Sequence, residues 1–154
     1  MIWPGDMVGI ILAVVFGAAI GLEREISGKA AGLRTNVLIC LGAAVFTIIS
    51  KQMGAGHEQS LTRIAAGIVA GVGFLGAGAI IQDRGGVHGL TTAATTWLVA
   101  SIGMACGAGF YSLAIISTLI AIVVLIGLGQ LAGPLERYGR KHKRKTTANE
   151  KDQP

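Results

Sequence analysis

Two short polar segments of this 154-residue chain carry most of the side chains that could do chemistry. The first is GLEREISGKAAGLRT at residues 21–35, and the second is DRGGVHGLTT at residues 83–92. Mg²⁺ prefers a few carboxylates while it keeps bound waters. Glu23, Glu25 and Asp83 are therefore candidate Mg²⁺ ligands, provided that the two segments meet in space. Proton sensing by the same carboxylates is an equally open interpretation.

These charges also have a simpler interpretation, as ion pairs that fix helix ends at a membrane surface. Glu23 and Glu25 flank Arg24, and Arg34 is placed to reach either carboxylate with two hydrogen bonds. An ionisable group at a helix end in lipid is unfavourable unless it is paired or extends to water. On this interpretation the cluster neutralises itself and sets the topology without binding a ligand.

The two segments resemble each other. In each, an acidic–basic pair closes a glycine-rich apolar run, and Gly-Leu-x-Thr opens the next run. Thr35 and Thr92 are the expected helix N-caps. The similarity predicts a parallel repeat of two helix–turn–helix units, and the alternative is chance similarity within an apolar sequence. The residues assigned to this functional motif are Glu23, Arg24, Glu25, Arg34, Thr35, Asp83, Arg84, Gly89, Thr91 and Thr92.

Composition indicates that the solvent of this chain is lipid. Apolar residues make up 52% and charged residues 14%, whereas soluble domains carry about 25% charged residues. The uncharged runs predict five transmembrane helices, at 7–22, 35–50, 64–82, 90–106 and 110–132. The threonine-rich start of the fourth run leaves a re-entrant segment as an alternative. We therefore expect an all-α membrane protein, a bundle of five transmembrane helices.

Basic residues near the ends of these runs predict the orientation. Lys and Arg are more frequent at the two polar segments and in the C-terminal region than at the opposite ends, where only Lys51 and Arg63 occur. By the positive-inside rule, the N-terminus is outside and the polar segments are cytoplasmic. We divide the chain into a transmembrane domain, 1–135, and a basic cytoplasmic tail, 136–154, which we expect to be disordered. The tail either enforces topology or binds anionic lipid.

Glycine is abundant in this chain, with 24 residues in all, and many lie in the apolar runs. The match to G-x-G-x-x-G at 71–76 lies inside an uncharged apolar run, which excludes a dinucleotide-binding βαβ unit. Pairs of glycines four residues apart instead predict close helix packing, within one copy or between copies. These helix-packing residues are Gly17, Gly21, Gly67, Gly71, Gly103 and Gly107.

The sequence predicts neither catalysis nor nucleic-acid binding. No nucleophile stands beside a base in a known catalytic pattern, and the basic charge lies in a juxtamembrane tail, not on a folded face. We expect no resident cofactor, with Mg²⁺ as the single candidate ligand. The expected partners are the lipid bilayer, other membrane proteins and a second copy of the chain in a homodimer.

Three segments in this order resemble the MgtC/SapB family of bacterial inner-membrane proteins: GLEREISGKAAGLRTNVLICLGA, RIAAGIVAGVGFLGAGAII and HGLTTAATTWLVASIGMACGAG. The resemblance places Glu23 and Glu25 at the family's acidic motif. It implies a small multi-span protein linked to growth at low magnesium, to survival inside macrophages and to modulation of the F-type ATP synthase and of membrane potential. Many members carry a soluble domain after the spans, where this chain has the basic tail. The expectation is therefore limited to the membrane module.

Two functions follow from the residues and the resemblance together. The first is regulation of membrane partners, such as the F-type ATP synthase, through helix–helix contacts during adaptation to low magnesium or intracellular stress. The alternative is a Mg²⁺ or H⁺ carrier or channel that uses the acidic residues of the polar segments. A lipid-binding scaffold anchored through the tail is a third hypothesis.

Overall fold

The computed structural model describes residues 3–54, 58–83 and 86–129, with backbone alone for 58–61 and 83. Within these ranges the chain forms five α-helices and a β-hairpin. The helices are α1 (Pro4–Ile26), α2 (Leu33–Met53), α3 (Glu58–Gly78), α4 (Leu90–Ala108) and α5 (Tyr111–Val123), the last continued by a π-helical turn at Val124–Leu128. The strands β1 (Ile81–Asp83) and β2 (Gly86–His88) pair antiparallel between α3 and α4. The predicted tail at 136–154 lies outside the described residues.

Four of these helical stretches are long and apolar enough to cross a membrane: α1, α2, α4 and the continuous stretch Tyr111–Leu128. The apolar part of α3, Thr62–Gly78, is shorter. At 1.5 Å per residue it spans about 25 Å, which is close to the lower limit for crossing the hydrocarbon. The predicted all-α membrane fold with five helices is confirmed.

The predicted third span, 64–82, was too long at its C-terminal side. The helix ends at Gly78, and the chain then turns through Ala79 and Ile80 into β1. The hairpin pairs Ile81 with His88 and Asp83 with Gly86. Strands this short carry no detectable alternation of apolar and polar residues, so the sequence did not predict them.

Close glycine contacts hold α1 against α2. A Cβ atom on Gly17 would lie 2.9 Å from the Cβ of Cys40, and one on Gly21 would lie 2.9 Å from the Cα of Leu33. Residue numbers rise along one helix as they fall along the other, so the two helices are antiparallel. Only glycine lets the two backbones approach this closely.

α4 also packs on α2 and runs parallel to it. A Cβ atom on Gly103 would overlap the carbonyl oxygen of Cys40, and one on Gly107 would overlap that of Ala44. α1, α2 and α4 thus pack against one another and form the centre of the bundle. α3 packs on α4 and less extensively on α2, and α5 packs on α1 and α4.

These directions give the bundle two distinct ends. We call the end with the 27–32 loop and the β-hairpin the hairpin end. The opposite end, with the starts of α1, α3 and α5 and the ends of α2 and α4, is the N-terminal end. The first polar segment and the β-hairpin therefore lie at the same end of the molecule.

The two helix–turn–helix units run in the same direction, as the proposed repeat requires. They also share a contact: a Cβ atom on Gly17 would lie 2.9 Å from the carbonyl oxygen of Asn36, and one on Gly76 would lie 3.5 Å from that of Ala93. Gly17 corresponds to Gly76 in the sequence similarity between the two segments. The looser second contact shows that the α3–α4 unit is packed less closely than the α1–α2 unit.

Both predicted threonine N-caps were wrong. Gly32 and Gly89 occupy the N-cap positions of α2 and α4, so Thr35 and Thr92 are the third residues of these helices. Gly89 has φ +86°, which glycine adopts without strain. The left-handed turn at Gly89 brings the chain from β2 into α4, so the helix begins earlier than a threonine cap would place it.

The break between the fourth and fifth helices is found where the sequence predicts it. α4 ends at Ala108, and Gly109 follows with φ +90°. The backbone N–H of Phe110 donates to the carbonyl oxygen of Ala105 at 2.8 Å. This is a glycine-dependent helix ending in which the last carbonyls find backbone donors.

Candidate functional site

The first polar segment forms the end of α1 and the loop that leads to α2. Glu23 accepts a hydrogen bond from the Ser27 hydroxyl at 2.8 Å, and its other carboxylate oxygen lies 3.5 Å from Nη1 of Arg24. The contact between Glu23 and Arg24 is the ion pair that the sequence predicts. Both carboxylate oxygens of Glu23 therefore bind groups at the end of its own helix.

Glu25 has a different partner. Its Oε2 atom accepts a hydrogen bond from the backbone N–H of Leu33 at 2.8 Å. The carboxylate thereby caps the first turn of α2 from the end of α1, where the helix dipole favours negative charge. A Cβ atom on Gly32 would overlap this carboxylate, so the glycine makes room for the cap.

Arg34 does not form the predicted bridge to either carboxylate. Its side chain is exposed, and none of the salt bridges among the described residues includes it. Thr35 is also exposed.

Arg24 is buried within the bundle, with 3% of its surface exposed. Its Nη1 atom is 3.5 Å from Glu23, but Nε and Nη2 have no hydrogen-bond partner. A charged group removed from water is unfavourable by several kcal/mol unless its hydrogen-bonding capacity is used. Arg24 is thus the least satisfied charged group of the described residues, although the sequence suggested a surface ion pair.

Asn36 is a second buried polar residue at this end, and sequence reasoning missed it. Its Nδ2 atom donates to the carbonyl oxygens of Ala31 and Gly32, both at 2.8 Å, whereas its Oδ1 atom has no partner. The carboxamide holds the loop against α2. The available signal was an amide side chain within an otherwise apolar run.

α4 adds threonines at the same level. Gly9 of α1 faces the carbonyl of Cys106 in α4. Arg24 is 15 residues after Gly9, and Thr91 is 15 residues before Cys106, so Arg24 is level with the first turns of α4. We name these residues the buried polar layer: Arg24, Asn36, Thr92, Thr95 and Thr96.

Within this layer, the Thr95 hydroxyl donates to the carbonyl oxygen of Thr91 at 2.7 Å. Such back-bonding satisfies a threonine in an apolar helix. Thr91 itself is exposed, and Gly89 lies at the turn that precedes it. Thr92, Thr95 and Thr96 thus face the interior of the bundle from a helix long enough to cross the membrane. This supports a transmembrane span over a re-entrant segment.

The predicted Mg²⁺ site remains a prediction. Glu23 and Glu25 bind different groups, and the Asp83 backbone lies in β1 while its side chain and Arg84 are outside the description. The described residues contain no group of three Asp, Glu, His or Cys side chains that could hold a metal ion. The structure therefore supports ion pairing and helix capping as the roles of Glu23 and Glu25.

A second polar cluster lies at the N-terminal end, where the sequence showed only isolated charges. Asp6 is buried, and its carboxylate lies 3.5 Å from Nζ of Lys51. The same carboxylate accepts hydrogen bonds from the Trp3 backbone N–H and from Gln52, both at 3.3 Å. Lys51 also donates to the Gly107 carbonyl at 3.3 Å. The cluster ties α1, α2 and α4 together.

An apolar groove of about 710 Å³ lies between α2 and α3. We call it the α2–α3 groove. Added Cβ atoms on Gly42, Gly67 and Gly71 would meet no atom within 4 Å. The predicted helix-packing pair Gly67 and Gly71 is therefore open within one copy of the chain. The residues that line the groove are Leu38, Ile39, Gly42, Ala43, Phe46, Arg63, Ile64, Gly67, Ile68, Gly71, Val72 and Leu75.

Comparison with known proteins matches residues 10–133 to the MgtC family model. The chain belongs to the MgtC family. It is 46% identical over 132 residues to "Putative magnesium transporter YhiD" of Escherichia coli K12, which covers 81% of this chain and 61% of that relative. It is 45% identical over 124 residues to "Protein MgtC" of Brucella abortus, which covers 80% and 51%.

Another MgtC-family relative, "Protein SrpB" of Synechococcus elongatus, is 38% identical over 141 residues, covering 84% of this chain and 78% of the relative. The chain thus spans about half to three-fifths of the length of YhiD and of the Brucella protein. No solved structure matches the chain.

Proposed function

We propose that this MgtC-family protein is a regulatory membrane protein that binds a transmembrane helix of a partner in the α2–α3 groove. The open floor of the groove, formed by Gly42, Gly67 and Gly71, is the observation that carries the proposal. Small residues allow the backbone of a second helix to approach closely in lipid. The family resemblance supports the F-type ATP synthase as a partner in adaptation to low magnesium or intracellular stress.

The dimensions of the groove suit one helix. Its α3 wall runs from Arg63 to Leu75, which is about 18 Å at 1.5 Å per residue. This length is a little more than three helical turns of contact. Among the described side chains, Arg63 is the one charged residue that lines the groove, and it lies at the N-terminal end, where it can pair with a carboxylate at the end of the partner helix.

Photo-crosslinking in cells tests the proposal. A benzoylphenylalanine in place of Phe46, an exposed residue of the groove, should capture a membrane subunit of the F-type ATP synthase. The same probe in place of Leu119, equally exposed on α5, is the control and should capture lipid or nothing. Capture of a second copy of the chain at position 46 would contradict partner binding and indicate a homodimer at this groove.

A matched pair of substitutions tests the glycine floor. Gly71→Leu should abolish both the crosslink and growth at low magnesium while the protein remains folded, because no atom lies within 4 Å of the added Cβ. Gly127→Leu makes the same change at another open position outside the groove and should leave both unchanged. An unchanged crosslink in the Gly71 variant would refute the proposal.

A Mg²⁺ or H⁺ carrier is the alternative function, and the printed name of the Escherichia coli relative favours it. The described interior does not favour it, because the centre of the bundle is filled by fully buried apolar residues such as Ile20, Val99 and Ile102. Flux of Mg²⁺ or H⁺ in dye-loaded liposomes that disappears in Glu23→Gln would support the carrier. Absence of flux under every gradient would eliminate it.

We further propose that the protein lies in the bacterial inner membrane with the hairpin end in the cytoplasm. Lys29 in the 27–32 loop is exposed, and the positive-inside rule supports the placement. A cysteine at position 29 or 86 should resist a membrane-impermeant thiol reagent in intact cells. A cysteine at Met53, at the N-terminal end, should react. Labelling at 29 or 86 would reverse the orientation.

A further inference from the structure

The free edge of the Arg24 guanidinium has the shape of an anion-binding fork. The two atoms without partners are Nε and Nη2, whereas Nη1 faces Glu23. Nε–H and one Nη2–H point in the same direction from one edge of the guanidinium plane, which is the geometry that binds two oxygens of one oxyanion. We propose that this edge, in the buried polar layer, binds a small oxyanion that carries a hydroxyl, of the hydrogen phosphate class.

The sign of the local charge favours an anion over a cation. α2 and α4 begin at the hairpin end and α1 and α3 end there, so the helix dipoles oppose one another and the guanidinium of Arg24 is the deciding charge. Glu23 is engaged by Ser27, and Glu25 by the Leu33 N–H, so neither carboxylate occupies the free edge of the guanidinium. A cation at this position would be repelled by the guanidinium.

Asn36 decides the class of anion. Gly21, three residues before Arg24, packs against Asn36, which places the carboxamide next to the turn that carries Arg24. Its free atom is Oδ1, an acceptor, because both Nδ2 hydrogens are donated to backbone carbonyls. A ligand that fills this layer must accept from Arg24 and donate to Asn36. Hydrogen phosphate does both, whereas sulfate and a lipid phosphodiester have no hydroxyl hydrogen to donate at neutral pH.

Burial restricts the size of the ligand. Arg24 and Asn36 are almost completely covered by protein, so a bulky headgroup does not fit without opening the hairpin end. Thr92 and Thr96, also buried in the layer, carry hydroxyls in the first two turns of α4. This inference is independent of the proposed partner groove, which lies on the α3 side of α2.

The test uses the full-length protein in dodecyl maltoside, a detergent without phosphate. Binding of inorganic phosphate is measured by titration calorimetry and by ³¹P line broadening, at constant ionic strength set with chloride. Saturable binding is expected, with sulfate weaker. Arg24→Lys keeps the charge but removes the fork, and we expect it to weaken phosphate binding about tenfold or more. The control is Lys29→Gln, which removes an exposed charge from the neighbouring loop and should leave the affinity within about twofold.

Asn36→Leu is the second variant, and it should remove the preference for phosphate over sulfate. The wild-type measurement stands even if a variant fails to fold. Absence of saturable phosphate binding by the wild-type protein would overturn the proposal. It would also be overturned by phosphate binding that survives in a folded Arg24→Lys variant, or by binding of added phosphatidylglycerol without any binding of inorganic phosphate.

Discussion

The glycines of α1 and α4 and those of α3 have the same spacing in sequence but opposite environments in the structure. Gly17 and Gly103 press directly against the backbone of α2, and a Cβ atom at either position would collide with it. Gly67 and Gly71 of α3 face open space on the α2–α3 groove. The same glycine spacing therefore gives close backbone contacts in one region and an open surface in the other.

The polar contacts show the same division. At the N-terminal end of the bundle, α1 and α2 are linked by Asp6, Lys51 and Gln52. At the hairpin end they are linked by Glu25. On the groove side, Ile68 and Val72 of α3 share an apolar cluster with Ala43 of α2. An apolar contact beside an open groove suits a surface that admits a partner helix.

The substitution with the largest expected effect on stability is Gly103→Leu. The added side chain would overlap the Cys40 backbone carbonyl, so α2 and α4 must separate. Overpacking of this kind costs typically 1–3 kcal/mol and sometimes more, and we expect a loss of at least about 3 kcal/mol because the obstructing atoms belong to the backbone and relief requires a whole helix to move. The free energy of unfolding is measured by SDS titration followed by the fluorescence of Trp3 and Trp97. A loss below about 1 kcal/mol would contradict the close packing of α2 and α4.

The next effect concerns the clamp at the N-terminal end. Asp6→Ala removes the partner of Lys51 and the acceptor for Gln52 and the Trp3 N–H. We expect a loss of about 1–3 kcal/mol in the free energy of unfolding, since a buried charged acceptor with several donors is removed. Glu58 starts α3 at the same end, and Glu58→Ala is the comparison. Equal losses for the two variants would show that the clamp is not specific to α1 and α2.

A smaller effect is expected for Gly32→Ala at the hairpin end. The added methyl group displaces the Glu25 carboxylate from the Leu33 N–H, but that carboxylate is the far end of a flexible side chain and can rotate away. The loss should be about 1 kcal/mol, the usual value of a helix N-cap. Glu25→Gln/Gly32→Ala should lose little more than Gly32→Ala alone in the same unfolding assay. Strictly additive losses would show that the two residues do not share one interaction.

The smallest effect is expected at the open glycines. Gly67→Ala should leave the free energy of unfolding unchanged or raise it by up to about 1 kcal/mol, because alanine is the better helix former and no atom obstructs the methyl group. Gly17→Ala is the matched change at a packed position and should be destabilising. A destabilised Gly67 variant would mean that the groove is closed within the folded protomer.

Local signals sufficed for much of the fold. The uncharged runs predicted the helices, and the glycines at 107 and 109 predicted the break between α4 and α5. The threonine caps failed because Glu25 and the left-handed Gly89 supply the helix starts instead. Neither feature can be recognised from the residues around the helix start. The Glu25 cap depends on a residue eight positions away, and the turn at Gly89 depends on the β-hairpin.

The candidate site was predicted only in its residue types. Glu23, Arg24 and Glu25 were identified, but the three were expected to share one environment. In the structure Glu25 caps a helix at the surface, while Arg24 enters the core. Asn36 and Asp6 were not identified at all, because a single amide or carboxylate in an apolar run gives no indication of the helix face that it shares with others.

The sequence by itself determined that the chain is a membrane bundle, how many helices it has, which ends lie together and the family to which it belongs. These properties follow from composition and from the order of apolar and polar runs, because the polarity of each residue decides whether it is more stable in hydrocarbon or in water. Only the tertiary structure decided which glycines are packed, which charge is buried and where the groove opens. Small residues occur on several faces of each helix, so the rotation and register that select among them are set by the neighbouring helices.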